Sequence, residues 1–365
     1  MLDFAPTEEQ EEIRNLAHSV AIEQLRPEGR SAERKGDISP ELMQRLIQTG
    51  ITTPFPERYG GSGAVEAVTY VLIAEELGFG DGGLAMNIVG SLMGPLTVML
   101  AGDESQQEHY ISPFCEEQIA HLQRGSLAFA ERTGGYALAE IDATARKDGE
   151  NYIVTGTKRD VIHGAKSVPR VVLVRLEGTS SLDGLCSLMV SGQVERMRVS
   201  EDVQKLGLIA APSASYVFED AVISEACMLG QPGNRGVVRA ATLYNILRAG
   251  VACGMARAAL EYARAYAKER VAFGRPIASY QGIAFIVAEM AMHLDAARLL
   301  VWRAAASWDR EVDDETLVRE GEAAQRQAIG IAKSATIDAI QVLGGAGFMK
   351  DHPAEMWMRN AAAME

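Results

Sequence analysis

The sequence predicts an α+β fold in three successive parts: an N-terminal helical domain over 1–122, a middle antiparallel β domain over 123–235 and a C-terminal helical bundle over 236–365. Three observations predict it. Apolar residues recur at helical spacing at both ends of the chain, short β-branched stretches divided by Gly, Asp and Ser fill the middle, and no internal repeat or low-complexity linker breaks the order. With 365 residues, 47% hydrophobic and 23% charged, the chain can bury a large core.

In the first part, Thr7 followed by Gln10 has the form of a capping box, and Pro40 to Gln48 carries helical apolar spacing. ERYGGSG, Glu57 to Gly63, interrupts the helices. In the middle part NYIVTGTK, RVVLVRL, SLMVSG and ASYVFEDAVI read as strands. Beyond them, long helices are expected over 237–270, 281–309 and 315–343, the last stopped by Gly344-Gly345. That helix is Ala-rich, and its Gly330 is read as a point of close packing between helices.

Charge narrows the function classes. A net charge of −14 opposes a nucleic-acid partner and an anionic membrane surface, both of which need a basic face. Cys115, Cys186, Cys227 and Cys253 lie far apart without a C-x-x-C pair, so neither a zinc site nor a disulfide framework is expected, and a reducing cytoplasm fits. The start, MLDFAPTEEQEEIRN, lacks the apolar core of a signal peptide, and no apolar run is expected to reach membrane-spanning length. His163, His293 and His352 are not spaced as ligands, and Asp313-Asp314-Glu315 reads as a solvated loop or helix start, so no metal is assigned. There is no G-x-S-x-G, and the Gly-rich stretches lack a P-loop lysine. Trp302, Trp308 and Trp357 read as core or interface residues.

RVAFGRPIASYQ, Arg270 to Gln281, and QVLGGAGF, Gln341 to Phe348, resemble the FAD-dependent acyl-CoA dehydrogenases. The likeness continues in order through PERYGGSG, GENYIVTGTK, KLGLIAAPSASYVFEDAVI (Lys205 to Ile223) and DHPAEMWMRNA. It implies a helical, β, helical subunit, usually assembled into tetramers, that removes hydrogens from Cα and Cβ of an acyl-CoA, with electron-transfer flavoprotein as electron acceptor. It also implies FAD in a cleft between the β domain and the C-terminal helices, its adenosine diphosphate half gripped by a neighbouring subunit. By this resemblance Arg270, Phe273 and Gln281 contact that half, and Gln341, Gly344 and Gly345 approach the pyrophosphate. The chemistry agrees: arginine gives charge-assisted donors to phosphate, and glycine lets backbone N–H groups come close. Singly, each has a plainer reading: Arg270 as a solvated helix end, Phe273 as core, Gly344-Gly345 as a helix cap.

The half of the site that the family builds within one chain departs from the pattern. The family's T-E-P-x-A-G-S-D aligns with Ala130-Glu131-Arg132-Thr133-Gly134-Gly135-Tyr136-Ala137, so Ala130 replaces the threonine that bonds the flavin ring and Tyr136 the serine that bonds pyrophosphate. The family's W-I-T-N is here Asp160-Val161-Ile162-His163, so Asp160 replaces the covering tryptophan and Ile162 the threonine near flavin N5. Each hydrogen bond withheld from a buried polar edge costs about 1–3 kcal/mol. In most of the family the base lies nine residues after the arginine matched by Arg359, a position past Glu365; the second location used by some relatives aligns with Tyr244, with Asn245 where many relatives have arginine. No catalytic residue is assigned. The favoured expectation is one subunit of a heteromeric acyl-CoA dehydrogenase, similar to the paired bacterial subunits that act on bulky, steroid-like or side-chain CoA esters. The alternatives are a conventional homotetramer, a non-catalytic structural subunit, and a flavin monooxygenase on the same fold.

Overall fold

The computed structural model describes residues 5–63, 65–132, 135–190, 192–201 and 204–365. Helix α1 (Glu8–Val20) opens on the expected capping box: Thr7 Oγ1 accepts from Gln10 N at 3.2 Å, and Gln10 Oε1 accepts from Thr7 N at 3.1 Å. After α2 (Arg26–Lys35), α3 (Pro40–Gln48) starts at Ser39, whose hydroxyl accepts from Leu42 N at 3.2 Å. ERYGGSG interrupts the helices as expected, with left-handed backbone at Gly60 and Gly63. Then follow α4 (Ala67–Gly80), α5 (Gly82–Ala101) and α6 (Glu104–Ile111). Contrary to the sequence expectation, α5 is long and apolar enough to cross a membrane; its apolar faces are instead covered by the rest of the fold.

The middle part forms one seven-stranded sheet: β1 (Ser126–Ala128), β2 (Thr144–Asp148), β3 (Asn151–Ile162), β4 (Arg170–Leu176), β5 (Leu185–Met189), β6 (Met197–Glu201) and β7 (Ser213–Ser224). The order is β1-β4-β2-β3-β7-β6, with β5 on β4. The sheet is mixed, not purely antiparallel as expected, because β4 runs parallel to both β1 and β2. Residue alternation marks strands without giving their direction. Direction comes from connections: β2 and β3 join through a tight turn, whereas β4 is reached by a longer crossing and inserts between β1 and β2.

The last part is built on α7 (Arg235–Glu269), α8 (Gln281–Asp309), α9 (Asp314–Leu343) and α10 (Ala354–Ala362). Arg235 Nε lies 2.8 Å from Asp314 Oδ1, pinning the start of α7 to the start of α9. The Tyr262 hydroxyl lies 2.7 Å from His352 Nδ1, pinning the last turns of α7 to the stretch after α9. The end of α7, the start of α8 and the end of α9 therefore share one end of the bundle. Asp313 is the N-cap of α9, accepting from Thr316 N at 2.9 Å. Gly330 is not the packing glycine: it is exposed with nothing within 4 Å, whereas a Cβ at Gly321 would lie 2.5 Å from Thr242 Cγ2 of α7. At about 100° per residue, two positions nine residues apart face opposite sides of a helix.

Helices α4 and α7 cross closely. A Cβ on Gly254 would stand 2.0 Å from the Glu75 carbonyl, and one on Gly78 2.3 Å from the Val251 carbonyl. Beside this crossing lies a buried ion cluster. Glu75 accepts from Arg298 of α8 at 2.8 Å, and Glu76 from Arg257 of α7 at 2.9 Å, from Arg14 of α1 at 3.2 Å and from His18 at 2.8 Å. Burial alone would raise the Glu76 pKa, but Arg257, with His18 and Arg14, holds it below its ordinary value. Glu76 therefore stabilises the fold above the ordinary carboxylate value, and that contribution is lost as pH falls through its folded value. Arg257→Ala should lower unfolding free energy at neutral pH by about 3–5 kcal/mol, since two buried carboxylates each lose one of their charged partners. The gap should narrow below pH of about 4. Urea titrations at both pH values check this, and equal midpoints for the two proteins at neutral pH would refute it.

Candidate functional site

Arg270 leaves the end of α7 in extended conformation and leads into a two-stranded hairpin, β8 (Val271–Ala272) with β9 (Arg275–Pro276). Its turn residues Phe273 and Gly274 are both left-handed, with φ of 53° and 82°, as a two-residue hairpin turn requires. Phenylalanine is costly there, and it is 96% exposed, so the reading of Phe273 as core does not hold. The Tyr280 hydroxyl holds the turn from outside, 3.1 Å from the Ala272 carbonyl and 3.2 Å from that of Phe273. The Arg275 guanidinium lies over the Tyr280 ring at 4.2 Å. Gln281 begins α8. Among the described residues the Arg270 guanidinium has no hydrogen bond or ion pair, and Arg270 and Gln281 are exposed.

Gln341, Gly344 and Gly345 lie at the end of α9, also exposed. The structure thus gathers all six predicted contacts at one end of the α7–α9 bundle. Gly344, at φ 59° and ψ −132°, is required by its backbone. Gly345 is not: a Cβ there would meet nothing within 4 Å, whereas one on Gly347 would stand 2.6 Å from the Ile340 carbonyl. Internal packing gives no reason for the second glycine. Open backbone at the same end of the bundle as an arginine unpaired among the described residues suits a phosphate-bearing group.

The other half is closed by its own side chains. The Ala130 carbonyl accepts from Arg159 N at 2.9 Å, so the Ala130 and Asp160 positions are neighbours, but Ala130 has no hydroxyl to offer and Asp160 is exposed. Ile162, 7% exposed, sits against α5, where a Cβ on Gly90 would lie 2.6 Å from its Cγ2. Tyr136 packs edge-on against Phe129 at 5.4 Å and Tyr244 at 5.8 Å, and its carbonyl accepts from Asn245 Nδ2 at 3.0 Å. Thr133 and Gly134 lie outside the described residues. Among the described residues Ala130 and Ile162 offer no hydroxyl and Ile162 and Tyr136 are packed, a poorer fit to a flavin ring than the open end of the bundle is to a diphosphate.

Sequence reasoning missed two features of this region. Lys158 of β3 is fully buried, 2.5 Å from Glu131 Oε1, while Glu131 also accepts from Asp142 N at 2.7 Å and Ala143 N at 3.1 Å. Burial lowers the Lys158 pKa, and Glu131 opposes it. The matched Glu131 is thus a structural anchor joining the end of β1 to β3. Arg248, 2% exposed, stacks over the Tyr136 ring at 3.4 Å and donates to the Met364 carbonyl at 2.5 Å, leaving Nε and Nη1 without partners. Its signal was one helical turn from Asn245, a charge inside LYNILRAGVA. Burial, and then Tyr136, pushes the Tyr244 phenol far above its ordinary pKa, so it accepts no proton near neutrality. The Glu365 carboxylate pairs with Lys333 at 2.6 Å on the surface.

Over 360 residues, 97% of this chain and 93% of the relative, the sequence is 31% identical to an acyl-CoA dehydrogenase of Bacillus subtilis (strain 168). This chain belongs to the acyl-CoA dehydrogenase family. Residues 7–118 match the family's N-terminal domain and 234–365 its C-terminal domain. Butyryl-CoA dehydrogenase from Megasphaera elsdenii superposes with a TM-score of 0.84 at 27% identity, over 100% of this chain and 95% of that one. A chain from a structure described as the electron transferring flavoprotein of Acidaminococcus fermentans superposes equally, with a TM-score of 0.84 at 28% identity, over 100% and 94%. Membership makes the chain an oxidoreductase of the CH–CH class, and FAD the family's cofactor.

The closed half gives a direct stability test. Ile162→Ala in this acyl-CoA dehydrogenase chain should cost about 2–5 kcal/mol, the range for truncating a packed core side chain. A loss under about 1 kcal/mol in denaturant unfolding would mean that Ile162 lines open space instead.

Proposed function

We propose that this chain is one subunit of a hetero-oligomeric acyl-CoA dehydrogenase, lending its diphosphate grip to FAD whose ring lies in a competent partner subunit. The observation that carries this reading is the contrast between six exposed contact residues and a ring half in which Ala130 and Ile162 are buried and Tyr136 is packed among aromatic rings. Arg270 donates to phosphate oxygens, Gln281 and Gln341 offer amides, the N–H groups beside Gly344 and Gly345 approach the pyrophosphate, and Phe273 covers the adenosine side. FAD, when bound, supplies the two-electron acceptor for α,β-desaturation of the CoA thioester. Among the described residues the two aligned candidates are occupied otherwise: the Tyr244 phenol is held protonated and Glu365 is engaged by Lys333.

An exposed apolar stripe supports assembly. Phe285, Met292 and Leu299 recur every seven residues on α8, flanked by Ile337 of α9, and are 60%, 62%, 48% and 48% exposed. The reading keeps the division into 1–122, 123–235 and 236–365 and assigns the complex to the cytoplasm, where the unpaired cysteines stay reduced. Electron-transfer flavoprotein is the proposed electron acceptor.

The test is flavin content by absorption spectrum, for this chain alone and for this chain co-purified with a competent acyl-CoA dehydrogenase subunit encoded beside it. Flavin should appear only in the mixture. Arg270→Ala should weaken its retention about ten- to a hundredfold, the worth of a hydrogen bond to a charged group. Full flavin occupancy and turnover by this chain alone would overturn the proposal.

A further inference from the structure

Just past the end of β3 lies a concave site of about 640 Å³ that shares no residue with the predicted FAD contacts. Four cations reach it from separate segments: Lys35 at the end of α2, Arg124 before β1, Lys166 after β3 and Lys205 before β7. Among the described residues that line it, Asp37 is the one carboxylate. Asp37 is also engaged, its Oδ1 accepting from Ile38 N at 2.8 Å and Asn87 Nδ2 at 2.7 Å. In a chain of net charge −14 this is a local reversal of sign.

Two of the four cations are left free by the fold, while Lys205 already donates to the Ala211 carbonyl. Lys35 and Lys166 have neither hydrogen bond nor ion pair among the described residues. Arg124 gives its Nη1 to the carbonyls of His121 at 3.0 Å and Gln123 at 2.8 Å and has no carboxylate in contact. Burial lowers the Arg124 pKa and Asp37 offsets this only in part, so a further anion beside it is favoured. Ser213, also in the lining, is 7% exposed with a hydroxyl that has no partner. His163 stays neutral here: burial, then Arg124, pushes its pKa down to about 4, and its Nε2 faces the Asn87 carbonyl and side-chain oxygen, each at 3.2 Å.

We infer that this pocket binds a phosphorylated small molecule, with Arg124, Lys166, Lys35 and Lys205 on the phosphoryl oxygens and Ser213 as a neutral donor. A single carboxylate would leave the cations in excess, whereas a phosphoryl dianion or pyrophosphate matches them, and the guanidinium fork suits its oxygens. The volume falls within the roughly 300–1,000 Å³ of small-ligand sites, so a nucleotide-sized molecule fits.

The inference is independent of the shared-FAD reading and is tested separately, by calorimetric titration of the full chain with pyrophosphate, ADP and adenosine. Pyrophosphate and ADP should bind and adenosine should not; tighter binding of ADP assigns a nucleotide, and equal affinity assigns an inorganic phosphate. Arg124→Ala combined with Lys166→Ala should weaken both at least about tenfold. Because the proposed FAD grip is itself a diphosphate site, the titrations are repeated in the Arg270→Ala chain, where binding to this pocket should persist. Lys166→Glu, at an exposed position, serves as the variant should the Arg124 change disturb folding, and should weaken binding in the same direction. No binding at millimolar ligand, or binding lost in Arg270→Ala but kept in the pocket variants, overturns the assignment.

Discussion

The buried cluster of Glu75 and Glu76 with Arg257 and Arg298 is the constraint on which the remaining geometry depends. It joins a helix of the first part to two helices of the last, across a crossing that only glycines at 78 and 254 permit. Side chains larger than hydrogen there would push α4 and α7 apart and strand the carboxylates without partners. With α7 fixed, α9 follows through the contacts at either end of α7 and α8 through Arg298, and so does the end of the bundle that displays Arg270 and Gly345. Neither part would hold this arrangement alone.

Within that frame the two halves of the proposed cofactor site obey opposite rules. One half consists of residues that nothing inside the chain needs: an unpaired arginine, a turn phenylalanine in water and a glycine without a packing reason. The other half is satisfied from within, where Ile162 fills the space at Gly90 and Tyr136 is gripped by Phe129, Tyr244 and Arg248. Arg248 shows the cost of that closure, a buried charge that rests on an aromatic face and a carbonyl with two nitrogens unbonded.

Much of this was legible in the sequence, and physics explains which part. The long helices fell within two residues of expectation because a 3.6-residue apolar period persists over many turns. The capping box at Thr7 was legible because its partners lie three residues apart. Strand direction was not, since β4 acquires its place from a crossing that no local pattern encodes. The α5 helix hid its length behind glycines, which lower side-chain hydrophobicity without adding charge. In the site, motif order predicted which residues would stand together, but not that Phe273 would be bare or Arg248 buried. Those depend on which face turns inward, and Gly330 against Gly321 shows how nine residues reverse the answer.

The hairpin after α7 has one more consequence. Its turn is already in the left-handed conformation that a two-residue connection demands, braced by the Tyr280 hydroxyl and by Arg275 lying on the Tyr280 ring. Fixing a backbone residue costs about 1–2 kcal/mol of conformational entropy, and here that ordering is complete before any ligand or neighbour arrives. Contacts made through Arg270 and Phe273 need not offset a disorder-to-order transition. A grip presented to another molecule gains most from rigidity of this kind, and Tyr280 is the residue that supplies it.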